Sequence, residues 1–445
     1  MMSQAIKEEN VYAEAFRELQ KRTDAQEPSW LKRLRENAFE RFEELGFPTT
    51  KHEEWKYTTL APLAKMKFER PGGSIKINRA QLQRFFYEEA SSSRLVFVNG
   101  FYSQELSATE ALSEGIVALD LRDALKDAKQ AEILRDELAR GADYHENAFT
   151  ALNTALFESG VFIHLSKGVN ASAPIHLLFL SSENERPALS FPRVSIVMEE
   201  GSSATIIESY ASAGEDSHFT NAVVEIKLAD AARLNYYKVQ RENAKTFHIA
   251  TTQAELGRAS SLNSTTITLG AQLSRHNINV ALSSPGAECW VDGLYLVGEG
   301  QHTDTHSLID HRQPHCASHQ LYKGILDGKS RAVFNGKVFV RRDAQQTDAR
   351  QTNKNLLLSD EARVDTKPQL EIFADDVKCA HGATVGQLEE EELFYLASRG
   401  LHTDLARNLL TYGFAEEVIE KIKIESIRAE LDEAVLHRLH SNLEA

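Results

Sequence analysis

The stretch that most constrains this chain runs from Thr347 to Gly386 and reads TDARQTNKNLLLSDEARVDTKPQLEIFADDVKCAHGATVG. Three apolar runs inside or just before it, Ala332 to Val340, Leu356 to Leu358 and Leu370 to Phe373, are bounded by polar turn residues. That is the punctuation of strands. The gaps between the runs are too short for helix-containing crossovers and suit parallel rungs of a β-solenoid. Asn353, Asn355 and Gln369 then belong in turns or side-chain ladders, and Asp360, Asp365, Asp375 and Asp376 at corners. The stretch closes on Val377-Lys378-Cys379-Ala380-His381-Gly382, where strand alternation turns Cys379 and His381 to one face. A thiolate and an imidazole on one face can hold a soft or borderline metal. The alternative for this pair is a buried small hydrophobe and a hydrogen-bonded cap, since free cysteine is among the most buried residue types.

From Tyr322 to Leu401 the sequence carries AVFNGK, TDARQTNKNLLLSD, DTKPQLEIFADDVKCAHGATVG and ELFYLASRGL, and upstream KHEEWKYTTL at Lys51 to Leu60. This motif set resembles the SufB/SufD family of the SUF iron–sulfur cluster assembly machinery. The resemblance is strong over the last third, recognisable at residues 51 to 60 and weak between. The SufB branch carries a scaffold cysteine in the rung matching TNKNLLLSD and a glutamate directly after the histidine of the final rung. Those positions here are Asn353 and Gly382. The chain therefore looks like the SufD branch, for which the resemblance implies that His381 serves cluster formation at the interface with SufB, with Cys379 as a second candidate.

The family also implies a mainly β fold: a right-handed parallel β-helix core, residues 91 to 386, between an N-terminal mostly helical domain, 1 to 90, and a C-terminal helical domain, 387 to 445. It further implies a scaffold without turnover of its own. The partners would be a SufB-type paralogue and a SufC-type ABC ATPase docked on the C-terminal domain, with a homodimer in isolation left open. The iron–sulfur cluster would be transient, shared with SufB and not tightly bound by this chain alone. One Cys and one His cannot hold a whole cluster, so the remaining ligands would come from across the interface. ATP-driven dimerisation of the ATPase would move the two β-helices and open or close the shared site.

Composition is that of a globular protein. With 445 residues and 42% hydrophobic content the chain can bury a sizeable core. No apolar run reaches the roughly 18 residues that span a bilayer, and the polar, acidic start MMSQAIKEENVY has no signal-like apolar region, so a cytoplasmic location is expected. Cys289, Cys316 and Cys379 are odd in number, widely spaced and without a CxxC, which argues against a disulfide framework or a self-contained zinc or four-cysteine site. A formal charge of 50 minus 65, or −15, argues against a general binder of nucleic acid or anionic membrane.

In chain order, residues 1 to about 65 read as helical. Trp30, Leu31, Leu34, Ala38, Phe39 and Phe42 recur at helical spacing, and Gly46 with Pro48 supplies a stop. Pro71-Gly72-Gly73 marks a loop. From Arg94 the pattern turns to short β-rich runs, interrupted by a helical stretch at about 131 to 159, and continues through CWVDGLYLV at 289 to 297. After Gly386 the periodicity is helical again, with stops at Gly400 and Gly413.

Three further motifs bear on chemistry. HEEWK at His52 to Lys56 lacks the second histidine of a zinc-protease HExxH. The segment HTDTHSLIDHRQPHCASH, with His302, His306, His311, His315, Cys316 and His319, reads either as a metal cluster or as rung-edge residues with their own hydrogen bonds. Asp310-His311 within it also resembles a pair common to the family and is read as structural. GILDGKS at Gly324 to Ser330 is one residue short of a phosphate-binding loop and is followed by a strand pattern instead of a helix. Two rival functions remain: a structural partner of SufB whose histidine only stabilises the fold, and a β-helix polysaccharide-degrading enzyme. The second would need paired carboxylates in a groove, whereas adjacent Asp375 and Asp376 face opposite sides of a strand.

Overall fold

Period-two alternation of apolar side chains governs the middle of the chain, and in the computed structural model it produces two facing sheets wound into a parallel β-solenoid of about 8 turns. The structure describes residues 11–23, 27–69, 82–182 and 186–440, except the side chains of 436–440; the expected loop at Pro71-Gly72-Gly73 lies outside the described residues. The strands are β1 (Arg94–Val98), β2 (Phe101–Tyr102), β3 (Ile116–Asp120), β4 (Gly160–Leu165), β5 (Ile175–Ser181), β6 (Ala188–Ser190), β7 (Arg193–Met198), β8 (Ser203–Ser212), β9 (His218–Leu228) and β10 (Arg233–Arg241). They continue as β11 (Phe247–Leu256), β12 (Ser261–Thr268), β13 (Leu273–Leu282), β14 (Glu288–Val297), β15 (His302–His311), β16 (Ala317–Leu326), β17 (Arg331–Val340), β18 (Thr347–Leu357), β19 (Arg363–Ile372) and β20 (Val377–Gly386).

One sheet has the order β2-β1-β5-β8-β10-β12-β14-β16-β18-β20, and the other β19-β17-β15-β13-β11-β9-β7-β4-β3 with β6 on β9. Along the solenoid the pairings are parallel, so each rung gives one strand to each sheet. The three runs read as strands fall mainly within β17, β18 and β19. Asp360, Asp375 and Asp376 stand in turns or bends as expected, but Asp365 does not. It lies inside β19, in register with Val333, and pairs with Arg331 at 2.8 Å.

Inward positions stack in register from rung to rung. Phe97, Phe179 and Tyr210 form one such column, with ring centroids 5.0 and 5.1 Å apart. The outward faces are also covered, which is why most middle strands are buried on both sides. Three N-terminal helices, α1 (Val11–Thr23), α2 (Ser29–Leu45) and α3 (Ala61–Lys65), belong to this cover. The helical interruption begins earlier than the expected 131, with α4 (Leu121–Ala124) and α5 (Ala128–Glu137), and ends with α6 (Ala148–Leu156). Their apolar faces pack on Phe219, Phe247, Ile249 and Leu273 of the β9-β11-β13 sheet. Helix α2 ends where expected: Gly46 takes a φ of +60° and its N–H donates to the Phe42 carbonyl at 2.8 Å.

The C-terminal helices α7 (Glu390–Ser398), α8 (Thr403–Ile419) and α9 (Glu425–His440) form the other flank, where Val418, Ile419, Ile422 and Ile427 meet Tyr237, Val239, Leu294 and Ile325 of the β10-β14-β16 sheet. The stop expected at Gly413 is absent, because α8 runs straight through it. Glycine inside a helix costs about 1 kcal/mol relative to alanine, and burial of Ala415, Val418 and Ile419 on the solenoid outweighs that.

Candidate functional site

Among the described residues each sheet ends on a strand paired along one side only, β20 on β18 and β19 on β17. Burial falls sharply at this last rung. In β18 the inward side chains are enclosed, whereas β19 is mostly half-buried and β20 exposed along most of its length. The same alternation thus meets solvent, since among the described residues nothing caps the lumen. Ile372, Phe373 and Val385 are 39%, 58% and 48% exposed around this opening. An unpaired strand edge beside exposed apolar side chains is a template for another chain.

Cys379 and His381 stand in this opening. The register places Cys379 on Ala349 and His381 on Gln351, both buried inward residues, so both face the lumen side of the rung. Cys379 is half-buried against Val338, Val340 and Ala349. Its thiol pKa is pushed up by burial first and by nearby Asp348 as well, so a metal or a base is needed to make it a thiolate. His381 is exposed, and its ring has no hydrogen-bond or ion-pair partner among the described residues.

Beneath this pair the lumen changes character from apolar to carboxamide-rich. Asn353, at the position where the resemblance places a SufB cysteine, is fully buried; its Nδ2 donates to the Tyr322 carbonyl at 3.3 Å. Its Oδ1 accepts from Thr366 Oγ1 at 2.8 Å and from Asn355 Nδ2 at 2.7 Å. Gln351 Nε2 donates to Gln320 Oε1 at 2.7 Å. Asn353 and Asn355 are therefore ladder residues, not turn residues. Gln320 and Gln351 escape a reading of the sequence alone; a glutamine inside an alternating strand, two rungs in succession, is the signal that marks them.

The histidine-rich segment does not converge. His302 and His306 lie on the outer face of β15, His311 is buried at its end with Nε2 2.8 Å from Ser318 Oγ, His315 occupies the following turn, and His319 stacks on Trp290 at 5.5 Å in the other sheet. Cys316 is buried, its Sγ 3.4 Å from the Ser284 carbonyl. Among the described residues no group of three or more His, Cys, Asp or Glu side chains is placed to hold a metal ion. Gly324 to Leu326 end β16 and Asp327 to Ser330 turn directly into β17, so GILDGKS is a corner between strands.

The HEEWK segment crosses the outer face of β13, β15 and β17 as a strap. Trp55 lies under the Arg275 guanidinium at 3.9 Å, Thr58 Oγ1 donates to Asp304 Oδ2 at 2.5 Å, and Glu54 Oε2 is 3.0 Å from His306 Nδ1. Glu53 reaches Lys367 of β19 at 2.7 Å, which ties the strap to the open rung. At the other flank Phe394 and Tyr395 of α7 and Leu405 and Leu409 of α8 are more than half exposed. Leu405 and Leu409 share a face at i, i+4 spacing. Among the described residues no helix is long and apolar enough to cross a membrane.

Comparison with known proteins bears on the whole chain. Residues 179–414 match the family model of the SUF system FeS cluster assembly, SufBD core domain, and residues 6–177 that of the SufBD protein N-terminal region. An iron–sulfur cluster assembly SufBD family protein of Synechocystis is 38% identical over 417 residues, covering 92% of this chain and 91% of that protein. The iron–sulfur cluster assembly protein SufD of Escherichia coli is 35% identical, covering 88% of this chain and 90% of its own length, and SufD of Bacillus subtilis is 28% identical over 91% and 93%. Family models that match residues 6–177 and 179–414, with relatives 38% and 35% identical over about nine-tenths of the chain, lead to one conclusion: the chain belongs to the SufBD family of iron–sulfur cluster assembly proteins.

Proposed function

We propose that this chain is a non-catalytic, cytoplasmic scaffold subunit that forms a nascent cluster site at its interface with a SufB-type paralogue. The carrying observation is the open last rung: His381 and Cys379 face a lumen that no described residue caps, between strand edges left unpaired. A second solenoid joined there would extend both sheets and bring its own donors to the same opening. His381 would act as a ligand to the transient cluster, or as a base that prepares a thiolate, and Cys379 as the second candidate donor. The cluster is cargo, passed on and not kept. Sequestration of Cys379 among Val338, Val340 and Ala349 supports, for that residue, a packing role beside the ligand role.

The exposed apolar patch of Phe394, Tyr395, Leu405 and Leu409 suits docking of a SufC-type ATPase, whose dimerisation would then move one solenoid against the other. The test is co-expression with the cognate SufB-type and SufC-type proteins, comparing the native chain with an Ile372→Lys, Val385→Lys variant. We expect the SufB-type partner to be lost from the purified complex while the ATPase stays. Retention of both partners at native stoichiometry would reject the open rung as the interface.

A further inference from the structure

We propose that Gln351 is the positioning residue for His381. Its carboxamide oxygen accepts one imidazole N–H, fixes the tautomer and leaves the other ring nitrogen free as the donor. This rests on the reading of His381 as a ligand to the cluster.

Gln351 and His381 are register partners on adjacent parallel strands, both turned to the lumen. Strands stack about 4.8 Å apart, close enough for a hydrogen bond between side chains that lean together. Gln351 is 1% exposed. Its Nε2 is committed to Gln320 Oε1 at 2.7 Å, while its own Oε1 is buried without a hydrogen-bond partner among the described residues. One rung further out, the His381 ring nitrogens have no partner among the described residues. A buried acceptor that lacks a donor thus lies in register beneath a donor that lacks an acceptor.

The amide is also held in place from the opposite sheet. Gly336 of β17 faces Gln351 across the lumen, and a Cβ there would stand 2.5 Å from Gln351 Nε2 and 2.8 Å from the Phe334 ring. With Gln320 on one side and the Gly336 backbone on the other, Gln351 has little room to turn. The result is a directional Gln320–Gln351–His381 ladder. It has the form of the support found behind metal-ligating histidines, in which the nitrogen not bound to metal donates to a carbonyl or carboxylate.

The experiment uses nuclear magnetic resonance of the full chain carrying 15N-labelled histidine at about pH 8.5, above the ordinary histidine range. The His381 resonances are identified by their absence in His381→Ala. We expect a single His381 tautomer in the native chain, the same tautomer in Gln351→Glu, which keeps the acceptor, and a mixture in Gln351→Met, which keeps the volume and removes it. An unchanged tautomer in Gln351→Met, or loss of the native tautomer in Gln351→Glu, would overturn the proposal.

In the co-expressed complex the visible cluster absorption should fall in Gln351→Met and recover in Gln351→Glu at unchanged stoichiometry. Absorption lost equally in both variants would also count against positioning. Failure of the ligand reading shows separately, as full absorption in His381→Ala whatever the tautomer result.

Discussion

The ring of Tyr295 occupies the place where a Cβ on Gly324 would stand, and two residues earlier along the same strand pairing the relation is mirrored, with the Tyr322 ring lying over Gly293. Two tyrosines and two glycines on β14 and β16 thus interlock, and they floor the carboxamide layer beneath the open rung. The Tyr295 hydroxyl donates to Asn355 Oδ1, so the ring cannot swing aside without breaking that bond. Gly324→Ala should therefore destabilise the chain by about 1–3 kcal/mol through overpacking. A lower urea midpoint at unchanged slope is the expected observation; a native midpoint would show that the ring can yield.

His306 stands between Asp304 Oδ1 and Glu54 Oε2, each at 3.0 Å, with the Arg275 guanidinium nearby. Burial works against its charge, but Asp304 and Glu54 outweigh burial and hold its pKa above the ordinary 6.5. A raised folded-state pKa means that its contribution is complete below pH 6.5 and is lost as pH rises through the raised value. Strap attachment should weaken over that interval. In His306→Gln the stability difference from native should shrink as pH climbs above 6.5, read from urea midpoints at successive pH values. A constant difference would mean that the imidazole is neutral throughout.

The buried histidines act in the opposite sense and in a different window. Burial lowers the pKa of His218 to about 4, and that of His311 likewise to about 4. Unfolded chain takes up these protons near pH 6.5 and native chain only near 4, so stability is complete above 6.5 and falls as pH drops toward 4. Each such histidine contributes a slope of about 1.4 kcal/mol per pH unit in that interval. His311→Asn should flatten the dependence by roughly one histidine's share. If the native and His311→Asn curves run parallel from pH 6.5 to 4, the lowered pKa of His311 is refuted.

Strand alternation makes the fold legible, because in a solenoid local period and global architecture agree: β11 is readable residue for residue as FHIATTQAEL. Where polar side chains occupy inward positions the same signal fails. The strand His302–His311 reads HTDTHSLIDH and suggests a donor cluster, since single-strand alternation does not say which histidine faces the lumen, the strap or the corner. Gly413 misleads because its helix is held by contacts to β14 and β16, strands far from it in sequence. Cys379 and His381 are legible as a same-face pair from their spacing. That their rung is the last and uncapped is not, since burial of a strand depends on its neighbours in space and not on its own residues.

Cluster loading of the complex separates a ligand role for His381 from a purely structural one. The chain would be co-expressed with its cognate SufB-type and SufC-type proteins and purified anaerobically as native, His381→Ala and Cys379→Ala forms, comparing subunit stoichiometry and visible absorption. An intact complex whose cluster absorption falls in His381→Ala is the predicted result, with Cys379→Ala reporting whether the thiol shares the role. Equal absorption in all three complexes would contradict the account and leave this chain as structural support for chemistry carried out by its partner.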